Sequence, residues 1–191
     1  MWMRGIVSRE ARILVLPIER DDLEARVRWL NDPEVQETLS FDAPVSLSRT
    51  VRWFERAILD PNRRDFTIWQ REPRRRIGMA GLLGIDYRSR KAEVYVTIGE
   101  KECWGQGFAT EAYEWIETYA FEELGLERLF LYTLAENSGT QRIMEKLQWK
   151  REGCLRRDAW SHGETKDRIV YGLLRSEWLR RNGWEALAQR R

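Results

Sequence analysis

The segment Trp104-Gly105-Gln106-Gly107-Phe108-Ala109-Thr110-Glu111-Ala112 decides how the rest of the chain is read. It joins a stretch with strand alternation, residues 92–98, to one with helical periodicity, residues 110–124. Two glycines one residue apart let the backbone turn tightly and remove Cβ atoms from one face. The residues after them open the helix. Several N–H groups without intrahelical partners converge there, and the helix dipole adds positive potential. Such a turn is an anion site suited to phosphate. The same pattern also serves as a plain tight turn. No Gly-Lys-Ser/Thr follows, which excludes a Walker loop. The three-glycine dinucleotide fingerprint is incomplete and lacks an early βαβ unit.

Upstream, residues 12–17 read as a short apolar strand. Asp21 or Asp22 caps a helix carrying Leu23, Val27 and Leu30, which Asn31-Asp32-Pro33 breaks. Pro44 and Ser46 precede a second helix with Val51, Trp53, Phe54 and Ile58. Strands follow at 66–69, 75–85 and 92–98, with a hairpin loop at 86–91. Downstream, the helix over 110–124 ends at Gly125 and leads to a strand at 129–134. A short helix spans 138–147. Two strands at 153–160 and 168–174 are joined by the turn Ser161-His162-Gly163-Glu164. This order is α+β: early helices, an antiparallel middle, one βαβ-like crossover and a closing hairpin. We read residues 1–191 as one domain, with a core over about 10–178 and a terminal helix over about 176–190.

Composition bounds the function. Of 191 residues, 42% are apolar, including ten Trp, six Tyr and six Phe, enough for a packed core. A net charge of +2, from 33 basic against 31 acidic residues, leaves no electrostatic footprint for nucleic acid. Arg74-Arg75-Arg76 is either a solvated turn or a local anion patch. No stretch approaches the ~18–20 apolar residues of a membrane span. Met1-Trp2-Met3-Arg4-Gly5 lacks the apolar run of a signal peptide, so a cytoplasmic location is expected. One histidine and two cysteines argue against a disulfide scaffold and against a metal site.

After the 129–134 strand comes Glu136-Asn137-Ser138-Gly139-Thr140-Gln141-Arg142-Ile143-Met144-Glu145-Lys146-Leu147-Gln148-Trp149, then Glu152-Gly153 and Asp167. With Trp29-Leu30-Asn31-Asp32-Pro33, Pro44-Val45-Ser46 and Trp53-Phe54-Glu55, the order and spacing cover nearly the whole chain. The chain resembles the GNAT N-acetyltransferases, of the ribosomal-protein N-terminal (RimJ/RimL) type, with spermidine acetyltransferases as relatives. The resemblance implies a mixed, mostly antiparallel sheet, splayed at a cofactor slot and flanked by helices. It implies acetyl-coenzyme A as donor and an amine as acceptor. Trp104, Gly105, Gln106, Gly107, Phe108, Ala109 and Thr110 would hold the pyrophosphate, and Val96, Thr97 and Ile98 would pair with the pantetheine. Asn137 matches a cofactor-contacting Asn; Arg142 and Lys146 would face the nucleotide. A homodimer is a further expectation.

The chain departs from the family pattern at Glu102, Thr140, Gln148-Trp149 and Met144. Many relatives carry Tyr at the last position to protonate the departing thiolate, and Met cannot donate. Thr140, a water, or unassisted departure of a thiolate with pKa of about 8.5 are the alternatives. An alkyl amine must lose a proton before it attacks. Glu93, opposite in phase to Val94 and Val96, is the candidate base; a solvent-facing strand residue is the other reading. His162, at a hairpin tip, is a poor base. A covalent step through Cys103 is a minor alternative. The oxyanion donor would be a backbone N–H near Thr97 or Ile98. Glu34 and Asp158, with Glu37, Asp42 and Asp86, would offer charge to a cationic amine; Tyr87, with Trp29, Trp53 and Trp160, would wall the slot. The acceptor is either a protein N-terminus or a small amine such as a polyamine, amino sugar or aminoglycoside. A non-enzymatic acyl-CoA-binding or regulatory module on the same fold is the second class.

Overall fold

A computed structural model describes residues 11–40 and 44–184. Asp42 and the end of the expected terminal helix lie outside the described residues. Strand β1 (Ile13–Pro17) leads through a short turn to helix α1 (Leu23–Leu30). Pro33 then starts the one-turn α2 (Pro33–Gln36), where Asp32 accepts from the Glu34 N–H at 3.0 Å. Helix α3 (Leu47–Ala57) begins at Ser46, whose hydroxyl oxygen accepts from the Arg49 N–H at 3.1 Å. Next come β2 (Arg64–Gln70), β3 (Arg75–Asp86) and β4 (Lys91–Ile98). Helix α4 (Phe108–Thr118) starts two residues before the expected helix, because Gly107 is the residue that turns the chain into it. Its last turn widens to a π turn over Tyr119–Glu123, ahead of Gly125 at φ 63°. Then follow β5 (Arg128–Leu134), α5 (Ser138–Lys146), β6 (Lys150–Ser161), β7 (Glu164–Leu174) and α6 (Arg175–Arg181).

The β6–β7 hairpin is longer than expected because its loop is only His162 and Gly163, at φ 52° and 80°. Two successive positive φ values match the right-handed strand twist and let the ladder run to the turn.

The strands form one sheet in the order β1-β2-β3-β4-β5-β7-β6. Every neighbouring pair is antiparallel except β4 and β5. The parallel pair is what α4 makes possible, since parallel strands need a crossover. The strongest apolar packing lies where α4 covers the sheet, with Ala112, Ile116, Val94 and Leu131 buried against one another. The other face carries a smaller cluster of Ala25, Trp29, Leu30, Val45 and Met79, with Tyr95 against it. The two faces therefore separate the alternating residues of β4: Val94, Val96 and Ile98 on the α4 side, and Glu93, Tyr95 and Thr97 on the other.

Candidate active site

The parallel pairing of β4 with β5 stops after three residues, at Lys91↔Arg128, Ala92↔Leu129 and Glu93↔Phe130. Both strands run on, β4 held by β3 and β5 by β7, so they part and leave a V-shaped slot. The Gly99 N–H donates to the Ile77 carbonyl at 2.8 Å. Antiparallel alternation then turns the backbone groups of Thr97, Tyr95 and Glu93 toward β3, and those of Ile98, Val96 and Val94 into the slot. The indole N–H of Trp104 already donates to the Ile98 carbonyl at 2.8 Å.

Both strands point the same way, so α4 and α5 start at the same, open end of the slot. This is the end of a sheet, at a strand-order switch, where ligands gather. Gly107 caps α4 at φ 86° and Gly105 lies at φ 73°. The first intrahelical bond runs from the Glu111 N–H to the Gly107 carbonyl. The N–H groups of Phe108, Ala109 and Thr110 precede it and have no helical partner. A Cβ on Gly105 would meet nothing within 4 Å, so this face of the turn is open. A diphosphate fits this arrangement: main-chain donors, a helix start and an uncrowded approach.

Two arginines remote in sequence bring charge to the turn. Arg12 donates to the Gln106 carbonyl at 2.9 Å and to the Glu111 carboxylate at 2.5 Å, and lies 4.6 Å over the Phe108 ring. Arg75 pairs with Glu102 at 2.5 Å and donates to the Cys103 sulfur at 3.4 Å. The Arg74-Arg75-Arg76 run is thus neither one solvated turn nor one anion patch. Arg74 lies over Trp69, and Arg76 binds Asp22 at 2.5 Å.

Asn137 caps α5: its side-chain oxygen accepts from the Thr140 N–H at 3.0 Å, and its amide donates to the Thr38 carbonyl at 3.4 Å. Thr140 sits half-buried in the first turn of this helix. Arg142 and Lys146 stand one turn apart on its exposed side. Met144 is completely buried in the core, so the position presents no surface to the slot.

Glu93 is half-buried on the face opposite α4. Burial pushes its carboxyl above the ordinary range, and the Arg168 charge partly offsets this. Phe130 and Tyr132 stand beside it on β5, edge to face at 5.8 Å, and Arg168 lies 4.6 Å over Tyr132. Thr97 shares this face.

Three of the residues expected to attract a cationic amine, Glu34, Asp158 and Asp86, have partners, whereas Glu37 is exposed. Lys101 holds Glu34 at 2.5 Å and Asp32 at 3.1 Å. Arg168 donates to Asp158 at 2.6 Å. Asp86 caps the β3–β4 hairpin by accepting from the Ser89 N–H at 2.8 Å. Tyr87 lies at that hairpin, beyond the paired start of β4, and donates to the Pro61 carbonyl at 3.2 Å. Trp29 is buried, with its indole N–H on Glu100 at 2.8 Å; Trp160 is exposed at the end of β6. His162 is exposed and approaches the Gln36 carbonyl at 3.3 Å. Cys103 is buried, and burial pushes its thiol up, away from a nucleophilic thiolate.

Among the described residues, no helix is long and apolar enough to cross a membrane. A cleft of about 430 Å³ lies at the opposite end of the sheet, lined by Leu173, Lys150 and α6, and holds none of these groups.

A sheet splayed beside a glycine turn at a helix start is a slot suited to a ligand with a diphosphate. The match to a family model agrees: residues 12–150 fit the acetyltransferase (GNAT) domain, and the chain belongs to that family. Its relatives include the uncharacterized N-acetyltransferase p20 of Bacillus licheniformis, 26% identical over 87% of this chain and 95% of p20. The uncharacterized N-acetyltransferase YoaA of Bacillus subtilis (strain 168) is 26% identical over 91% of this chain and 92% of YoaA. Among solved structures, spermidine N-acetyltransferase from Vibrio cholerae, in complex with CoA and spermine, superposes with a TM-score of 0.83. It is 24% identical, covers 88% of this chain and 98% of its own, and shares the fold. The chain is an N-acetyltransferase by family.

Arg12, Phe130, Tyr132 and Arg168 were not singled out from the sequence. No local signal marks them. Arg12 meets the turn from 94 residues away along the chain, and the Arg168 charge acts on Glu93 only through the sheet order β4-β5-β7.

Proposed function

We propose that the protein transfers an acetyl group from acetyl-CoA to a primary amine by direct attack, with both bound together. The observation that carries this reading is the end of β4–β5 pairing at Glu93↔Phe130, with the Gly105–Gly107 turn beyond it. Acetyl-CoA supplies an activated acetyl thioester. Trp104 to Thr110 would hold its diphosphate through main-chain N–H groups, and Val96 and Ile98 would offer backbone groups along the slot. The Ile98 N–H would offset charge growing on the carbonyl oxygen. Glu93 takes the amine proton, directly or through one water; a carboxyl raised toward neutrality is better matched to that task than an ordinary one. Holding amine and thioester in contact supplies the rest of the rate. Met144 donates no proton, so the thiolate leaves unassisted or takes a proton from Thr140 or water.

The test is thiol release from acetyl-CoA across spermidine, an aminoglycoside, an amino sugar and N-terminal peptides of ribosomal proteins. Release with one class names the acceptor. Binding of acetyl-CoA without release from any of them would sink the reading.

A further inference from the structure

Arg26, on α1, is a half-buried cation with no carboxylate hydrogen-bonded to it among the described residues. Its Nε is buried with no hydrogen-bond partner among the described residues. Its guanidinium lies 4.0 Å over the Trp53 ring, and Arg63 lies over the same ring at 5.1 Å. The carboxylate of this cluster, Asp65, is already used. It accepts from Arg63 Nε at 2.5 Å and Nη2 at 3.0 Å, and from the Tyr95 hydroxyl at 2.6 Å. Two guanidiniums therefore share one carboxylate in a half-buried place. Burial draws the Arg26 guanidinium below its ordinary range, and the nearby Tyr95 and Asp65 offset this only in part. A buried N–H donor without a partner is costly unless something else satisfies it.

The cluster faces the same side of the sheet as Glu93. Tyr95 is two residues along β4 from Glu93 and reaches across β3 to Asp65. It passes over Gly81, where a Cβ would stand 2.4 Å from the ring. Strand geometry puts Glu93 and the Arg26 cluster roughly 7–12 Å apart. Of the acidic groups expected to serve a polycation, Glu34 and Asp158 are held by Lys101 and Arg168, and Glu37 is exposed. An anion reaching this place finds the unsatisfied Nε of Arg26.

We propose that Arg26 binds an anionic group on the acceptor, which is then a primary amine carrying a carboxylate several bonds away. This rests on the reading of Glu93 as the base of acetyl transfer. The carboxylate of a free α-amino acid lies too near its own amine to reach both groups. An acidic side chain near a peptide N-terminus, or a long ω-amino acid, spans the gap.

Matched pairs test it: 6-aminohexanoate against 6-aminohexanamide, and a Ser-Glu-Ala peptide amide against Ser-Gln-Ala. The expected result is about a tenfold or greater kcat/KM advantage for the charged member of one pair, which also says whether the acceptor is small or peptidic. Arg26→Gln should erase that advantage through KM, leaving kcat and the KM for acetyl-CoA unchanged, and Arg26→Lys should restore part of it. Equal rates within both pairs, or an equal loss for charged and neutral acceptors in Arg26→Gln, overturns the proposal. Arg26→Met should raise Tm, because it removes a buried N–H with no partner; a fall would mark Arg26 as structural and overturn the proposal as well. If no amine is acetylated, the transfer reading fails by itself. Titration of 6-aminohexanoate then decides the anion site: saturable binding lost in Arg26→Gln upholds it, and no binding overturns it.

Discussion

Glu93 on β4 and Phe130 on β5 form the last parallel pair before the two strands separate. The candidate base therefore stands at the apex of the slot, where the sheet is still closed on one side and open on the other. Its position gives it both burial and access, and burial is what raises its carboxyl.

Replacing Glu93 by Gln should lower kcat by about 10²–10⁴-fold with little change in acetyl-CoA affinity. Steady-state kinetics beside calorimetric binding separates the two. Full turnover in this variant would remove Glu93 from the mechanism.

Arg168 lowers the Glu93 carboxyl and so opposes the effect of burial. The base works only when ionised, so activity falls as pH drops through its pKa. Arg168→Gln should move that acidic limb of the rate profile to higher pH. A limb that stays in place or moves to lower pH would contradict the coupling.

Gly107 holds a left-handed conformation, and a Cβ there would stand 3.3 Å from Arg12 Nη2. A β-branched residue pays about 1–2 kcal/mol for that conformation alone. Gly107→Val should raise the KM for acetyl-CoA about tenfold or more, and Arg12→Ala should raise it less, about three- to tenfold. The Arg12→Ala effect should shrink at high salt. Isothermal titration with CoA at two salt concentrations measures both.

Glu117 is completely buried, accepts from Trp149 at 2.6 Å and is paired with Arg181 of α6. Burial raises its carboxyl, and Arg181 opposes that. Arg181→Met leaves a buried carboxylate unpaired and should cost about 3–5 kcal/mol at neutral pH. With the folded pKa raised further, the folded state binds a proton that the unfolded state does not. Stability is then lost as pH rises through the folded pKa and regained on acidification toward the unfolded carboxylate range. Urea denaturation at pH 5 and pH 8 should show the larger deficit at pH 8.

Much of the fold was legible because its signals are local. The alternation of β4 separated Glu93 from Val94 and Val96 before any contact was known. Caps were less so: Ser46 and Asn137 cap their helices, whereas Asp22, the expected cap of α1, makes no cap bond and instead accepts from Thr67 and Arg76. The hairpin turn falls within Ser161–Glu164 as expected, though only His162 and Gly163 lie outside the ladder. Helix ends were less legible. Phe108 and Ala109 belong to α4 because Gly107 bends the chain, and the π turn after Thr118 has no local sequence mark.

The acidic residues teach the opposite lesson. Glu34, Asp86 and Asp158 read alike in one dimension, as charges free to meet an amine. The fold gave Glu34 to Lys101, Asp86 to its own hairpin and Asp158 to Arg168. Backbone conformation is set by each residue and its near neighbours, so the strands and the Gly105–Gly107 turn could be read along the chain. Charge is set through space, by whichever partner the sheet order brings within a few ångströms. Only the folded chain therefore decided that Arg12 reaches the turn, that Arg168 tunes Glu93, and that Arg26 has no hydrogen-bond partner at its Nε among the described residues.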